Sequence, residues 1–432
     1  MVFADKAGEI VEHPEWEFTG QSASYFVRIS EDDLIALPES SRLFTLPGRF
    51  PVGWDPERRS FDIVQDMAEV YDENGLVQGV AAFLPPGYLR CVLPAFARTE
   101  EAPMLPLWAY TAVGWRDGGF VVPAVQVDKL WYWEPNQFDD RKLVPLVEKR
   151  LKENPRNRLL KHLSRCALTY HCFAGKNLFL QRGEAPLPIA PACNCACIGC
   201  LSLQSQQGCE ASHERINFVP TPEEILELAV PHLETVPDSI VSFGQGCEGD
   251  PILYGDTLVQ AISGMRRATQ KGTINLNTNG SLPETVEKVA KAGLDSIRIS
   301  MNAVSPERYA RYYRPKSYAY EDVVHSLKIA SDNGVHVAIN LLIFPGITDL
   351  RDEYDGLIKL VRECGVHMIQ LRNLNIDPDL YLDAVGRPEE TGMGIKAFLE
   401  SLKKDCPELI LGYFNRPRNR FSPKSLMGIR CI

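Results

Sequence analysis

From about residue 166 the chain alternates short apolar runs with segments of helical period. Continuous or period-two apolar runs read as strands, and apolar residues three and four apart read as helices. Strands are expected near Ile189 and over 239–244, 273–278, 296–301, 335–344 and 367–374. Helices fit 221–230, 252–270, 281–292, 319–333, 350–364 and 394–404. Such alternation predicts βα units on a parallel sheet, an α/β fold. The stretch from about 405 reads as irregular.

Residues 1 to about 135 differ in texture. Tyr25–Ser30, Gly79–Phe83, Tyr88–Leu93 and Leu107–Val125 are rich in β-branched and aromatic residues, punctuated by Pro85-Pro86-Gly87 and Asp117-Gly118-Gly119. They predict strands, with a hairpin running from Ala109–Val113 back through Gly119–Val122. Trp131, Tyr132 and Trp133 read as core or interface packing. Residues 139–165 predict one or two helices broken at Pro155 and carrying Arg141, Lys142, Lys149, Arg150, Lys152, Arg156, Arg158, Lys161 and Arg165. That face is either solvated or a landing strip for an anionic partner.

Polarity along the predicted strands places chemistry on one face. Alternation sets Asn275 and Asn277 opposite Ile274 and Leu276, and aligns Ser296, Arg298, Ser300 and Asn302. The next two strands offer His336 and Asn340, then Gln370 and Arg372. In a sheet backed by helices, these polar faces point inward, toward the side that carries the active site in barrels. Inward asparagines need a polar ligand or ordered water. His336, near a strand start, reads as a packed histidine. Between the second strand and its helix, Gly244-Gln245-Gly246-Cys247-Glu248-Gly249-Asp250-Pro251 demands a tight turn and a close backbone approach.

Composition adds limits. The 432 residues are 45% apolar and 24% charged, as in ordinary globular proteins, with room for two or three domains. A net charge of −10 disfavours a general nucleic-acid binder. No segment has the roughly 18 to 20 apolar residues a membrane span needs. Met1–Trp16 lacks the pattern of a secretory signal, so clustered reduced cysteines indicate the cytosol.

Four of the twelve cysteines fall within Cys193–Cys200, three of them as Cys-x3-Cys-x2-Cys: Cys193, Cys197 and Cys200. Thiolates this close suit a soft-metal centre, and three leave a fourth position open. Taken alone, the loop also fits a zinc site or a redox-active cysteine cluster. Cys195 is out of register and reads as a bystander. Cys91, Cys166, Cys172, Cys209, Cys247, Cys364, Cys406 and Cys431 are scattered, with Cys166-x5-Cys172 the nearest approach to a second paired spacing.

The cysteine loop, the glycine-rich turn and the Thr278-Asn279-Gly280 strand ending together resemble the radical S-adenosylmethionine (SAM) superfamily over about residues 185–385. The resemblance implies a partial (β/α)6 TIM-type barrel over 181–400, with a separate N-terminal α+β domain over 1–180 and a tail over 401–432. It implies a [4Fe–4S] cluster on Cys193, Cys197 and Cys200, with SAM on the open iron. A flavodoxin- or ferredoxin-type donor would supply one electron, and SAM would be cleaved to methionine and a 5′-deoxyadenosyl radical. By the same resemblance, Gly249, Asp250 and Pro251 match the family's Gly-Gly-Glu-Pro turn, with aspartate for glutamate and Glu248 for the preceding glycine. Glu248, Gly249, Asp250, Asn277, Arg298, Ser300 and Asn302 become cofactor-binding candidates, Arg298 for the carboxylate of SAM and Ser300 for its ribose. Asn340, Gln370 and Arg372 become substrate candidates. Gly199 stands where the family places a bulky residue against adenine, which leaves Ile198 or Leu201 to do so. The expected substrate is a small metabolite or peptide, with RNA modification or a non-catalytic iron–sulfur or zinc role as alternatives.

Overall fold

The computed structural model describes residues 1–66, 75–204 and 210–422, so Cys209 and Cys431 lie outside the described residues. Its centre is a curled sheet of seven parallel strands that follow one another in chain order. They are Glu184–Pro186, Ile240–Phe243, Thr273–Thr278, Ser296–Met301, His336–Ile343, Met368–Asn373 and Ile410–Gly412. Five match the expected strands closely. The first begins five residues before Ile189, and the seventh lies in the stretch expected to be irregular, pairing Met368–Gln370 with Ile410–Gly412. This half-barrel therefore carries one strand more than six.

Helices cover the outer face. Pro222–Thr235, Gly255–Ala268, Pro283–Lys291, Tyr320–Asp332, Arg351–Cys364 and Ile395–Asp405 match the six expected from periodicity. Pro306–Tyr313 and Pro378–Val385 are additional, each started by a proline at its first turn and capped by Ser305 or Asp377. Ile274, Leu276, Ile297, Ile299, Val337 and Ile339 are fully buried in the main core, the apolar set that alternation assigned to the strands.

The N-terminal part is built of short antiparallel strands with three small apolar clusters of their own. Its hairpin joins Gly114–Arg116 to Gly119–Gln126. Ala109–Val113 is not its first arm, because Thr111 instead bridges Ala82. Helices Asp140–Glu153 and Arg158–Leu168 flank Pro155 as expected, and Phe173–Phe179 follows. Leu89, Leu107, Val125 and Val127 join the main core, so the β-rich part packs directly on the half-barrel. No helix among the described residues is long and apolar enough to cross a membrane.

Candidate active site

The cysteine loop is irregular and held from three sides. Ala196 and Ile198 donate their N–H groups to the carbonyls of Tyr313 and Tyr312, at 3.0 and 3.1 Å. Asn194 donates to Ser281 Oγ at 2.9 Å and accepts from Asn279 Nδ2 at 2.8 Å. The glycine-rich turn supports the loop from below: Gly249 N–H reaches Ala190 O at 2.6 Å, and Asp250 N–H reaches Ala192 O at 3.0 Å. A Cβ on Gly249 would overlap the Ala192 carbonyl, which is the close approach the sequence demanded. Gly244 turns at φ +79°, a conformation glycine adopts without strain.

Cys193, Cys197 and Cys200 are all half-buried free thiols. Cys195 stands between two of them, 3.3 Å from Cys193 Sγ and 3.5 Å from Cys197 Sγ. Arg215 places Nη2 3.5 Å from Cys200 Sγ. The donor set is thus soft, crowded and partly exposed, which fits an iron–sulfur cluster.

The two acids of the turn are both spent inside the protein. Glu248 accepts N–H bonds from Ile189, Ala190, Gly244 and Gln245 at 2.6–3.0 Å, tying the turn to the end of the first strand. Burial pushes its carboxyl up to about 8, against those four donors, which favour the charged form. Asp250 accepts from Thr278 Oγ1 at 2.7 Å and from the Asn279 and Ile252 N–H groups, and burial raises its carboxyl as well. The turn instead presents Gln245 and Gly246 to a cavity of about 450 Å³.

Gly199 and Leu201 line that cavity on the cysteine-loop side, and Asn277, Arg298, Asn340 and Arg372 on the barrel side. Phe83, Leu84 and Ala109 from the N-terminal part and Tyr413 and Phe414 near the C-terminus close it. Asn277 needs no ligand: its amide donates to Phe243 O and Gly244 O and accepts from Asn275. Asn340 donates to Ser300 Oγ at 3.2 Å. Arg298 Nε, Asn340 Oδ1 and Arg372 Nε are buried with no partner among the described residues. Burial and the neighbouring Arg372 pull the Arg298 guanidinium down to about 9.

Three site residues predicted on the barrel strands do not line the cavity, the first being Ser300, which accepts from Asn340. Asn302 lies beyond the strand end and donates to Tyr381 OH at 3.1 Å, away from the cavity. Gln370 is on the inward face but buried and not part of the lining, accepting from Arg298 Nη1 at 3.0 Å and donating to Asn415 Oδ1 at 2.7 Å. Asn415 in turn donates to Glu184 Oε1 at 2.7 Å, which closes a polar chain from Arg298 to the cavity-lining Glu184.

Other lining residues escaped sequence reasoning. Tyr312 projects its hydroxyl to 2.9 Å from where a Cβ on residue 199 would stand, so an aromatic ring from a helix takes the space that Gly199 leaves. Leu201 lines the cavity, whereas Ile198 is in the core. Trp133 lines the cavity too, stacked on Phe414 with ring centroids 5.5 Å apart. His336 is packed as expected, stacked on Phe421 at 4.0 Å.

Residues 187–388 match the family described as the Radical SAM superfamily. They are a Radical SAM domain. Members of this superfamily are enzymes that use a [4Fe–4S] cluster and SAM and need a reductant. The chain is similar to the FeMo cofactor biosynthesis protein NifB of Azotobacter vinelandii, 24% identical over 244 residues, covering 53% of this chain and 46% of that protein. It is also similar to a probable GTP 3′,8-cyclase of Pyrobaculum aerophilum, 31% identical over 120 residues, covering 27% of this chain and 37% of that one. The matched part thus spans less than half the length of either relative. Among solved structures, methylornithine synthase superposes with a TM-score of 0.37 at 14% identity, over 63% of this chain and 74% of that one. The Radical SAM match begins right after the first strand of the half-barrel and includes the cysteine loop, the glycine-rich turn and the four inward polar strands.

Proposed function

We propose that the protein is a radical SAM enzyme that abstracts hydrogen from a small anionic metabolite or peptide bound in the cavity. The carrying observation is that one cavity has the cysteine loop on one wall and two arginines, with unpaired polar atoms, on the other. Cys193, Cys197 and Cys200 would hold a [4Fe–4S] cluster, which when bound supplies the electron for cleavage of SAM to methionine and a 5′-deoxyadenosyl radical. Arg298 would pair with the carboxylate of SAM, since a guanidinium meets a carboxylate bidentately, and Ser300 with its ribose. The Gly246 backbone and the Tyr312 ring border the same space. Asn340 and Arg372 then face the substrate: the unpaired Nε–H of Arg372 favours a negatively charged acceptor, and the unpaired Oδ1 of Asn340 favours a donor such as a hydroxyl or amine. Glu184, the acidic residue of the lining, acts electrostatically on Arg298 and is joined to it through Asn415 and Gln370.

Residues 1–180 would act as the lid of this site. Phe83, Leu84, Ala109, Trp133 and Phe173 cover the mouth with apolar surface, which excludes water and shapes the substrate space. Ion pairing weakens the case for RNA: Arg141, Lys149, Arg158 and Arg165 of the basic segment meet Asp139, Glu153, Glu224 and Glu214. A flavodoxin- or ferredoxin-type protein would serve as reductant, and the cytosol would be the setting.

Electron paramagnetic resonance tests the open coordination position. The reduced, reconstituted protein is expected to change its cluster signal on adding SAM. An unchanged spectrum at saturating SAM would rule the reading out.

A further inference from the structure

Away from the cysteine loop, three potential ligands converge that the sequence separates by up to 85 residues. His162, Cys166 and Cys247 each offer one ligand atom, all within 4.8 Å of one another. His162 and Cys166 are four residues apart on helix Arg158–Leu168, so they share a face. Cys166 Sγ lies 3.5 Å from His162 Nε2. Cys247 enters from the glycine-rich turn, and both thiols are buried and free.

The spacing fits one ion rather than a cluster. Tetrahedral zinc, with bonds of about 2.0–2.3 Å, holds its ligand atoms about 3.3–3.8 Å apart. Nitrogen with thiolate sulfur is the donor set of structural zinc. Cys172, the partner that sequence spacing suggested for Cys166, is outside the set whose ligand atoms all lie within 4.8 Å of one another, although it interacts electrostatically with both thiols. His213 is a further candidate. Its Nδ1 is buried without a partner among the described residues, its ring rests against Tyr170 with centroids 5.6 Å apart, and it is near enough to Cys166 to interact electrostatically.

We propose that His162, Cys166 and Cys247 bind a single zinc ion, with His213 as fourth ligand. The ion would join three segments distant in sequence: the helix at 158–168, the strand-to-helix turn at 244–250, and the segment after the cysteine loop. Cys247 stands between Gly246, which lines the cavity, and Glu248, whose carboxylate gathers four backbone N–H groups. Its own carbonyl already accepts from Ile216 N–H at 2.8 Å. Zinc there would anchor the turn that supports the cysteine loop. The proposal rests on this geometry and is independent of SAM chemistry.

The test is metal analysis of the full chain in a Cys193→Ala/Cys197→Ala/Cys200→Ala background, where the cysteine loop cannot compete for zinc. About one zinc per chain is expected to survive purification. Cys247→Ser and His162→Gln, each added to that background, should lose it, with circular dichroism confirming the fold. Cobalt(II) in place of zinc should show thiolate-to-cobalt charge transfer, weakened when Cys166 or Cys247 is removed. Chains that take up neither metal, zinc that persists in both added variants, or a Cys166–Cys247 disulfide in the freshly purified protein would each overturn the proposal.

Discussion

Arg49, from the N-terminal strands, and Asp377, from the barrel side, form an ion pair at 2.8 Å with both side chains sealed from water. Asp377 does more than pair. It accepts from Leu105 N–H at 2.9 Å and caps helix Pro378–Val385 through the Asp379 and Leu380 N–H groups. Removing one member of a buried pair strands the other charge, at about 3–5 kcal/mol. Asp377→Ala is expected to lose that much in denaturant unfolding, and Arg49→Met/Asp377→Leu to recover only part of it, since the helix cap and the Leu105 bond stay lost. A loss below about 1 kcal/mol in the single variant would show that the pair does not secure the lid.

Arg372 stacks its guanidinium 4.0 Å above the Tyr413 ring and keeps Nε unpaired at the cavity. If it receives the substrate's negative group, anionic compounds should stimulate 5′-deoxyadenosine formation and cationic ones of equal size should not. Arg372→Ala should weaken that stimulation by roughly tenfold or more, the worth of a charge-assisted hydrogen bond. Equal stimulation by cations would contradict the assignment.

His232 is buried on helix Pro222–Thr235, its Nε2 3.0 Å from Gly183 O just before the first barrel strand. Burial pulls its pKa from 6.5 down to about 4. The folded chain therefore binds fewer protons than the unfolded chain between those values, and stability falls as pH drops from 6.5 toward 4. His336, lowered to about 3 by burial and by His367, acts in the same direction. His232→Gln should remove close to one proton from the slope, roughly 1.4 kcal/mol per pH unit. Urea unfolding across pH 4–7 checks this, and an unchanged slope would contradict it.

Five barrel strands and six helices were legible because each is long enough to show its period. The missing strands are short. Glu184–Pro186 and Ile410–Gly412 have three residues each, below any window in which alternation shows. The apolar run 187–190 drew attention toward Ile189, but the N–H groups of Ile189 and Ala190 go to Glu248 and not to a neighbouring strand. The cysteine loop was readable from spacing alone. The surrounding cavity was not, since Trp133, Glu184, Tyr312, Tyr413 and Phe414 meet only through tertiary packing. Alternation put Gln370 on the inward face, which is correct, but gave no sign that Arg298 and Asn415 would engage it there.

The position of Cys195 leads to the most direct measurement. Its sulfur touches those of Cys193 and Cys197, so the loop holds four thiols where three are required. A fourth thiolate on the cluster would close the position that SAM needs. Anaerobically reconstituted wild type and Cys195→Ala, reduced with dithionite, should both convert SAM to 5′-deoxyadenosine, followed by chromatography. Cys193→Ala, Cys197→Ala and Cys200→Ala should each abolish it. If wild type with a full iron complement yields no 5′-deoxyadenosine, or if Cys195→Ala loses cluster and cleavage as the other three do, the three-cysteine open site is wrong.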